Sequence, residues 1–192
     1  FLLICWARRL GKDMMTFSLA AKQCINTPNS TVFYMFPTQK QGKQMLLEAK
    51  QNAGKLSEQI DFQQMDAQNL NFPDEKFDII VTRNLTWNLE NPQQAYSEWY
   101  RVLKPQGILL NFDADYGNEQ FYQTKIENLP LNHAHRQVKP TLMQECDLIK
   151  NSLEISSKIR PDWDLRILKQ LQFKDVFADT NIGQRIYKHQ DK

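Results

Sequence analysis

Residues 76–112 read KFDIIVTRNLTWNLENPQQAYSEWYRVLKPQGILLNF, and the fold is decided in this stretch. Lys76–Thr82 holds a continuous apolar core, the pattern of a strand covered on both faces. Asn91 can accept a hydrogen bond from a first-turn amide, and Pro92 suits a first helical position. Ala95, Trp99, Val102 and Leu103 then fall on one face at helical spacing. Lys104-Pro105-Gln106-Gly107 reads as the stop, and Ile108–Phe112 as a second buried strand. Two buried strands joined by a helix make a parallel pair, because antiparallel neighbours need no such crossover.

The same alternation extends outward. Thr31–Phe36 is a β-rich apolar run closed by Pro37. Met15–Lys22 reads as part of a helix, Gln44–Asn52 as a helix stopped by Gly54, and Ile60–Met65 as a short alternating strand. Residues 114–160 are polar and irregular, with weak helical patterning. Pro161 opens a further helix carrying Leu165, Leu168 and Leu171, and Asp175–Ala178 and Arg185–Lys188 read as two short strands. The expectation is one α/β domain over residues 1–192, a doubly wound, mostly parallel Rossmann-like sheet. Such sheets bind ligands beyond the carboxyl ends of their strands. That directs attention to residues 66–68, 83–88 and 113–116.

Composition narrows the function classes. The 192 residues are 41% hydrophobic and 24% charged, ordinary for a globular domain. A net charge of +2 gives no electrostatic case for a nucleic-acid or membrane surface, so neither partner is expected. The N-terminal run FLLICWA is too short to span a bilayer, and its charges, Arg8 and Arg9, follow it rather than precede it. The first residue is Phe1 rather than Met, so a fragment, a processed product or an imperfect reading frame is expected. Three cysteines, Cys5, Cys24 and Cys146, are odd in number and far apart, which fits reduced cytoplasmic thiols. His133 and His135 have no third ligand nearby, so no metal is expected. Only six glycines occur, and none is spaced to make a G-x-G turn or a P-loop.

Three segments carry a family resemblance. Met65-Asp66-Ala67-Gln68-Asn69-Leu70-Asn71-Phe72-Pro73, Phe77-Asp78-Ile79-Ile80-Val81-Thr82-Arg83-Asn84 and Tyr100-Arg101-Val102-Leu103-Lys104-Pro105-Gln106-Gly107-Ile108-Leu109-Leu110 occur in order. They resemble the G-D-A-x-x-L-P-F, F-D-x-V-x-S and R-V-L-K-P-G-G-x-L-L segments of the class I S-adenosylmethionine-dependent methyltransferases, of the type 11 small-molecule kind. The likeness covers about Gln44 to Lys188, with Gln106 in place of the first glycine of the last segment. It implies methyl transfer from S-adenosylmethionine to a small-molecule acceptor. In the family the acid after the third strand accepts from the adenine amino group, which falls to Asp66. The next backbone N–H reads the adenine ring, which falls to Ala67, and Gln68 is placed beside it among the cofactor-binding residues. Residues after the fourth strand line the methionine end, here Arg83 and Asn84. The acceptor side falls to Trp87, Asn88, Asp113 and Tyr116, with residues 114–160 as a lid. In-line displacement at a sulfonium methyl depends on alignment, so no universal catalytic residue is implied.

The bland readings stand beside these. Trp87 could be plain core, Asn88 a turn residue, and Asp113 or Asp115 a turn or helix cap rather than a base. The family's glycine-rich first turn should precede Met15, where Cys5 to Asp13 offers Gly11 alone. The acid expected after the second strand falls near Gln39 or Lys40, neither of them acidic. A damaged first strand and glycine loop are therefore expected, from an out-of-frame or degenerate N-terminal stretch. The alternative function is a non-catalytic remnant of the fold that lacks cofactor affinity. A nicotinamide-dependent oxidoreductase would need the same glycine turn without matching the other segments. The acceptor atom and the oligomeric state have no signature in the chain.

Overall fold

The computed structural model describes residues 31–35, 63, 65–118 and 139–181. Three parallel strands form one sheet in the order β1 (Val32–Met35), β2 (Phe77–Arg83), β3 (Leu103–Phe112). β2 is central: Phe33 pairs with Ile80, and Ile80 with Leu109. Ile80 and Val81 point to opposite faces and both are buried, as the continuous apolar run requires. The helix α1 (Pro92–Val102) connects β2 to β3. The Asn91 side chain accepts from the Gln94 amide, and Pro92 takes the first turn, as its sequence indicates. Ala95, Tyr96, Trp99 and Val102 are fully buried against the sheet. Beneath them Phe33 stacks on Phe77 at 4.7 Å, and Phe72 meets Phe77 edge-on at 5.0 Å.

The helix passes into β3 without a loop. The helix ends at Val102, just before Lys104-Pro105-Gln106-Gly107 as its sequence indicates, and that segment bulges within the strand. Phe77 pairs with Leu103 while Ile79 pairs with Ile108, so the extra residues loop out. Gln106 takes a left-handed φ of 67° there. At Gly107 an added Cβ would lie 2.1 Å from Leu103 Cδ2 and 2.9 Å from the Lys104 carbonyl oxygen. Lys104 Nζ reaches back to Asp78 Oδ2 at 2.8 Å, and the same oxygen accepts from the Thr31 amide at 2.7 Å. Asp78 thus ties the bulge of β3 to the start of β1.

Three expectations are corrected. β3 is covered on one face rather than two: Leu109 packs on the core, whereas Ile108 and Leu110 are exposed, with no strand beyond β3 among the described residues. Residues 114–160 are less irregular than they read, since they contain the helix α2 (Pro140–Ser152) and short 3-10 turns at Tyr116–Asn118 and Glu154–Ser157. Asp175–Ala178 forms no strand: Phe177 is exposed, and no neighbour among the described residues offers a ladder. The helix expected after Pro161 is present as α3 (Asp162–Gln170), and it buries Ile167 against the core. The elements read at Met15–Lys22, Gln44–Asn52 and Arg185–Lys188, most of Ile60–Met65, and the glycine-poor first turn lie outside the described residues.

Candidate functional site

The carboxyl ends of β2 and β3 gather the candidate residues from three loops. Before β2, Asp66 folds a tight turn in which its Oδ1 accepts from the Gln68 amide at 2.9 Å and from Gln68 Nε2 at 3.3 Å. The Asn69 amide closes the turn on the Asp66 carbonyl at 3.1 Å. Asp66 is exposed, and its Oδ2 carries no hydrogen bond among the described residues. The next amide, that of half-buried Ala67, likewise has no acceptor among them.

Helix α1 holds this turn in place. Trp99 Nε1 donates to the Ala67 carbonyl at 3.0 Å, and the Asn91 amide donates to Gln68 Oε1 at 2.6 Å. Arg101 donates to the carbonyls of Phe72 and Leu70 at 2.8 and 3.0 Å, while Glu98 accepts from the Leu70 amide at 3.0 Å. Glu98 and Arg101 also pair with each other at 2.8 Å. Hydrogen bonding to Arg101 brings the Glu98 carboxyl below its ordinary value, against partial burial that pushes it up. Because Asn91 starts α1 at the carboxyl edge of the sheet, its bond to Gln68 fixes the Asp66–Gln68 turn at that edge.

Beyond β2 the chain reverses at Asn84, whose left-handed φ of 47° suits an asparagine. Its amide donates to the Phe112 carbonyl at 2.8 Å, which locks the ends of β2 and β3 together. The Asn84 carbonyl accepts from Trp87 Nε1 at 3.0 Å, and the Tyr116 hydroxyl lies 3.5 Å from Asn84 Oδ1. The Trp87 and Tyr116 rings meet at 5.1 Å in an edge-to-face contact. Burial lowers the Arg83 guanidinium below its ordinary value, and the nearby Tyr116 opposes that shift. Asn88 belongs to the 3-10 turn Thr86–Asn88, where its amide donates to the Leu85 carbonyl at 3.2 Å. Arg83, Asn84, Trp87 and Tyr116 therefore form one cluster, with Asn88 in the turn beside it.

Asp113 is turned inward. It accepts from the Thr86 hydroxyl, from the Trp87 amide at 3.1 Å and, through Oδ1, from the Ala114 amide at 2.9 Å. Those bonds make it a cap for the Thr86–Asn88 turn, the capping role weighed for it in the sequence. Burial raises its carboxyl above the ordinary value, and the charge of Arg160 pulls it back.

Arg160 was not legible as part of this edge. Its NH2 donates to Thr86 Oγ1 at 2.7 Å, its NH1 to the Ala114 carbonyl at 3.2 Å, and it forks onto both oxygens of Asp164 at 2.8 Å. Asp113 lies 3.4 Å away. Asp164 accepts in turn from the Tyr96 hydroxyl at 2.6 Å, and Asn111 Nδ2 donates to that hydroxyl at 2.9 Å. Thr82 Oγ1 completes the chain with a 2.7 Å bond to Asn111 Oδ1. Burial, then the charge of Asp164, pushes the Tyr96 phenol well above its ordinary value, so it stays protonated as a donor. One signal did point here: a tyrosine on the buried face of a helix needs a partner for its hydroxyl. No cluster of metal-ligating side chains occurs among the described residues. No helix among them is long and apolar enough to cross a membrane.

The "Methyltransferase domain" family matches residues 40–111, which include the Asp66 turn, β2, α1 and most of β3. An uncharacterised protein of Haemophilus influenzae is 39% identical over 85 residues, 43% of this chain and 33% of that protein. The ubiquinone/menaquinone biosynthesis C-methyltransferase UbiE of Pseudoalteromonas translucida is 43% identical over 51 residues, 27% of this chain and 20% of that protein. The chain thus spans about a third or less of the curated relatives it matches. A Bacillus halodurans crystal structure described as a methyltransferase shares the fold at 22% identity and a TM-score of 0.50, over 88% of this chain and 60% of its own. Residues 40–111 thus carry a match to the methyltransferase domain family, and the described residues share the fold of a methyltransferase structure.

Proposed function

We propose that this chain transfers a methyl group from S-adenosylmethionine to a small-molecule acceptor bound over the carboxyl edge of the sheet. The observation that carries the reading is the pair of adjacent polar groups at Asp66 and Ala67. The Oδ2 of exposed Asp66 and the amide of half-buried Ala67, one residue apart on a fixed turn, have no partner among the described residues. That donor and acceptor match an adenine edge, whose amino group gives a hydrogen and whose ring nitrogen takes one. Gln68 holds the turn. Arg83 and Asn84 would line the methionine end. The cofactor supplies a sulfonium methyl group, ready for in-line displacement.

Trp87 and Tyr116 give an aromatic wall beside Asn84, and residues 114–160 would cover it. Gly117 supports a lid packed on this edge, because a Cβ there would lie 2.7 Å from the Ser156 carbonyl oxygen. Asp113 holds the wall through the Trp87 amide and is not assigned as a base. Asn88 would contact the acceptor only from the rim of its turn. A cytoplasmic enzyme without nucleic-acid or membrane partners fits the near-neutral charge and the scattered cysteines.

The test is calorimetric titration with S-adenosylhomocysteine. The reading expects saturable binding, weakened about tenfold by Asp66→Ala, roughly the loss of one charge-assisted hydrogen bond. No heat at millimolar ligand would sink it. That outcome would favour a non-catalytic remnant of the fold, a reading supported by the single Gly11 where the glycine turn belongs.

A further inference from the structure

We infer that Trp99 is a positioning residue for the cofactor, acting from the buried face of α1 through the backbone of Ala67. This inference rests on the proposed adenine contact and adds the device that aims it. Trp99 is fully buried, and its indole N–H spends its only donor on the Ala67 carbonyl at 3.0 Å. The amide of that same residue is the one without an acceptor. Fixing the carbonyl fixes the following peptide plane and limits the rotation of Ala67, and hence the direction of its amide. Arg101 repeats the arrangement downstream by holding two further carbonyls of the same loop, at Leu70 and Phe72. Glu98 takes the Leu70 amide. A short exposed turn that must read a flat ring needs such support, because each backbone rotation left free has to be frozen on binding.

A buried indole N–H needs an acceptor whatever its role, so the hydrogen bond alone does not separate positioning from core filling. A phenylalanine would cover part of the same sheet surface and leave a cavity, which lowers stability without being aimed at the turn. The two roles therefore separate in the ligand affinities of Trp99→Phe, which keeps an aromatic ring and removes the N–H, rather than in its stability.

The experiment titrates the 192-residue chain and its variants with S-adenosylhomocysteine and, separately, with adenosine. Trp99→Phe is expected to weaken both ligands by the same factor, about tenfold, since the effect lies at the adenine end. Arg101→Lys, which can reach one carbonyl instead of two, should weaken both about threefold. Ile167→Val, a loss of core packing away from the turn, should lower the melting temperature and leave both affinities unchanged. If the parent chain binds S-adenosylhomocysteine and both clamp variants bind it equally well, the positioning role is overturned and the cofactor site stands. If the clamp variants lose S-adenosylhomocysteine affinity but keep adenosine affinity, the role is overturned as well. If the parent chain binds neither ligand, the cofactor site itself falls, and the clamp with it. Should Trp99→Phe fail to fold, Arg101→Lys against Ile167→Val decides the question.

Discussion

Gln106 holds a backbone conformation that suits a glycine. Its φ of 67° lies in the left-handed region, where a side chain costs roughly 1–2 kcal/mol. Gln106→Gly should remove that cost and give back part of it as chain entropy. The net gain expected is up to about 1 kcal/mol, a rise of roughly 2–4 °C in melting temperature by scanning calorimetry. Its neighbour behaves oppositely. Gly107→Ala would drive a methyl group into Leu103 and the Lys104 carbonyl, and should cost about 2 kcal/mol in urea unfolding. The two adjacent positions differ for separate reasons, one torsional and one steric. The first was legible, since the matched segment carries glycine where this chain has glutamine. The second required the bulge, which no alternation of apolar residues announces.

At the scale of elements, two clamps act on the site, and they respond to pH in opposite directions. The Glu98 carboxyl is lowered by Arg101, so its stabilisation is present above the ordinary value of about 4.3 and is lost as pH falls through the lower folded value. Glu98→Gln should flatten that acid limb. Asp113 is raised by burial, with Arg160 opposing, so it keeps its proton longer when folded than when unfolded. Stability from this group therefore falls as pH rises from about 4 through the raised value, and Asp113→Asn should abolish that slope. Melting temperature followed across acid pH in the two variants separates the effects. Arg160→Leu would leave Asp113 and Asp164 as uncompensated buried charges. A loss of about 3 kcal/mol in urea unfolding is expected, as for other broken buried pairs. None of this network was visible as a pattern. Thr86 and Arg160 lie 74 residues apart, and nothing periodic relates them. Helix α2 escaped for a related reason: it exposes Leu148 and Ile149 and buries Lys150, which inverts the apolar stripe that a sequence reading relies on.

Across the whole molecule, the readable parts are those in which local preference and burial agree. β2 carries the apolar run Ile79–Val81 at its centre, with Ile80 and Val81 buried on opposite faces, and α1 has its cap, its proline and its buried face in order. Those two elements with β3 fix the sheet, and the carboxyl edge follows from its topology. Asp66, Ala67, Gln68, Arg83, Asn84, Trp87 and Tyr116 were nameable because they follow stretches that read as strands in the sequence. Their supports were not, because supports come from helix interiors and from distant loops. Asp175–Ala178 failed as a strand because alternation alone supplies no partner, and the exposed Phe177 meets none among the described residues. The same distinction governs mutational effects. Changes at Asp66 should alter ligand affinity with little change in melting temperature, whereas changes at Arg160 should lower melting temperature first.

Helix α1 has no slack at its end: its last residue, Val102, is followed directly by the first residue of β3, Leu103. Its starting amide at Asn91 and its side chains at Glu98, Trp99 and Arg101 all grip one loop. The spacing between those grips therefore works as a gauge. One inserted residue between Asn91 and Glu98 would rotate the later grips by about 100° around the axis while Asn91 stayed in place. A lineage could substitute residues along this helix one at a time, but it could lengthen or shorten the helix only by remaking the loop it holds.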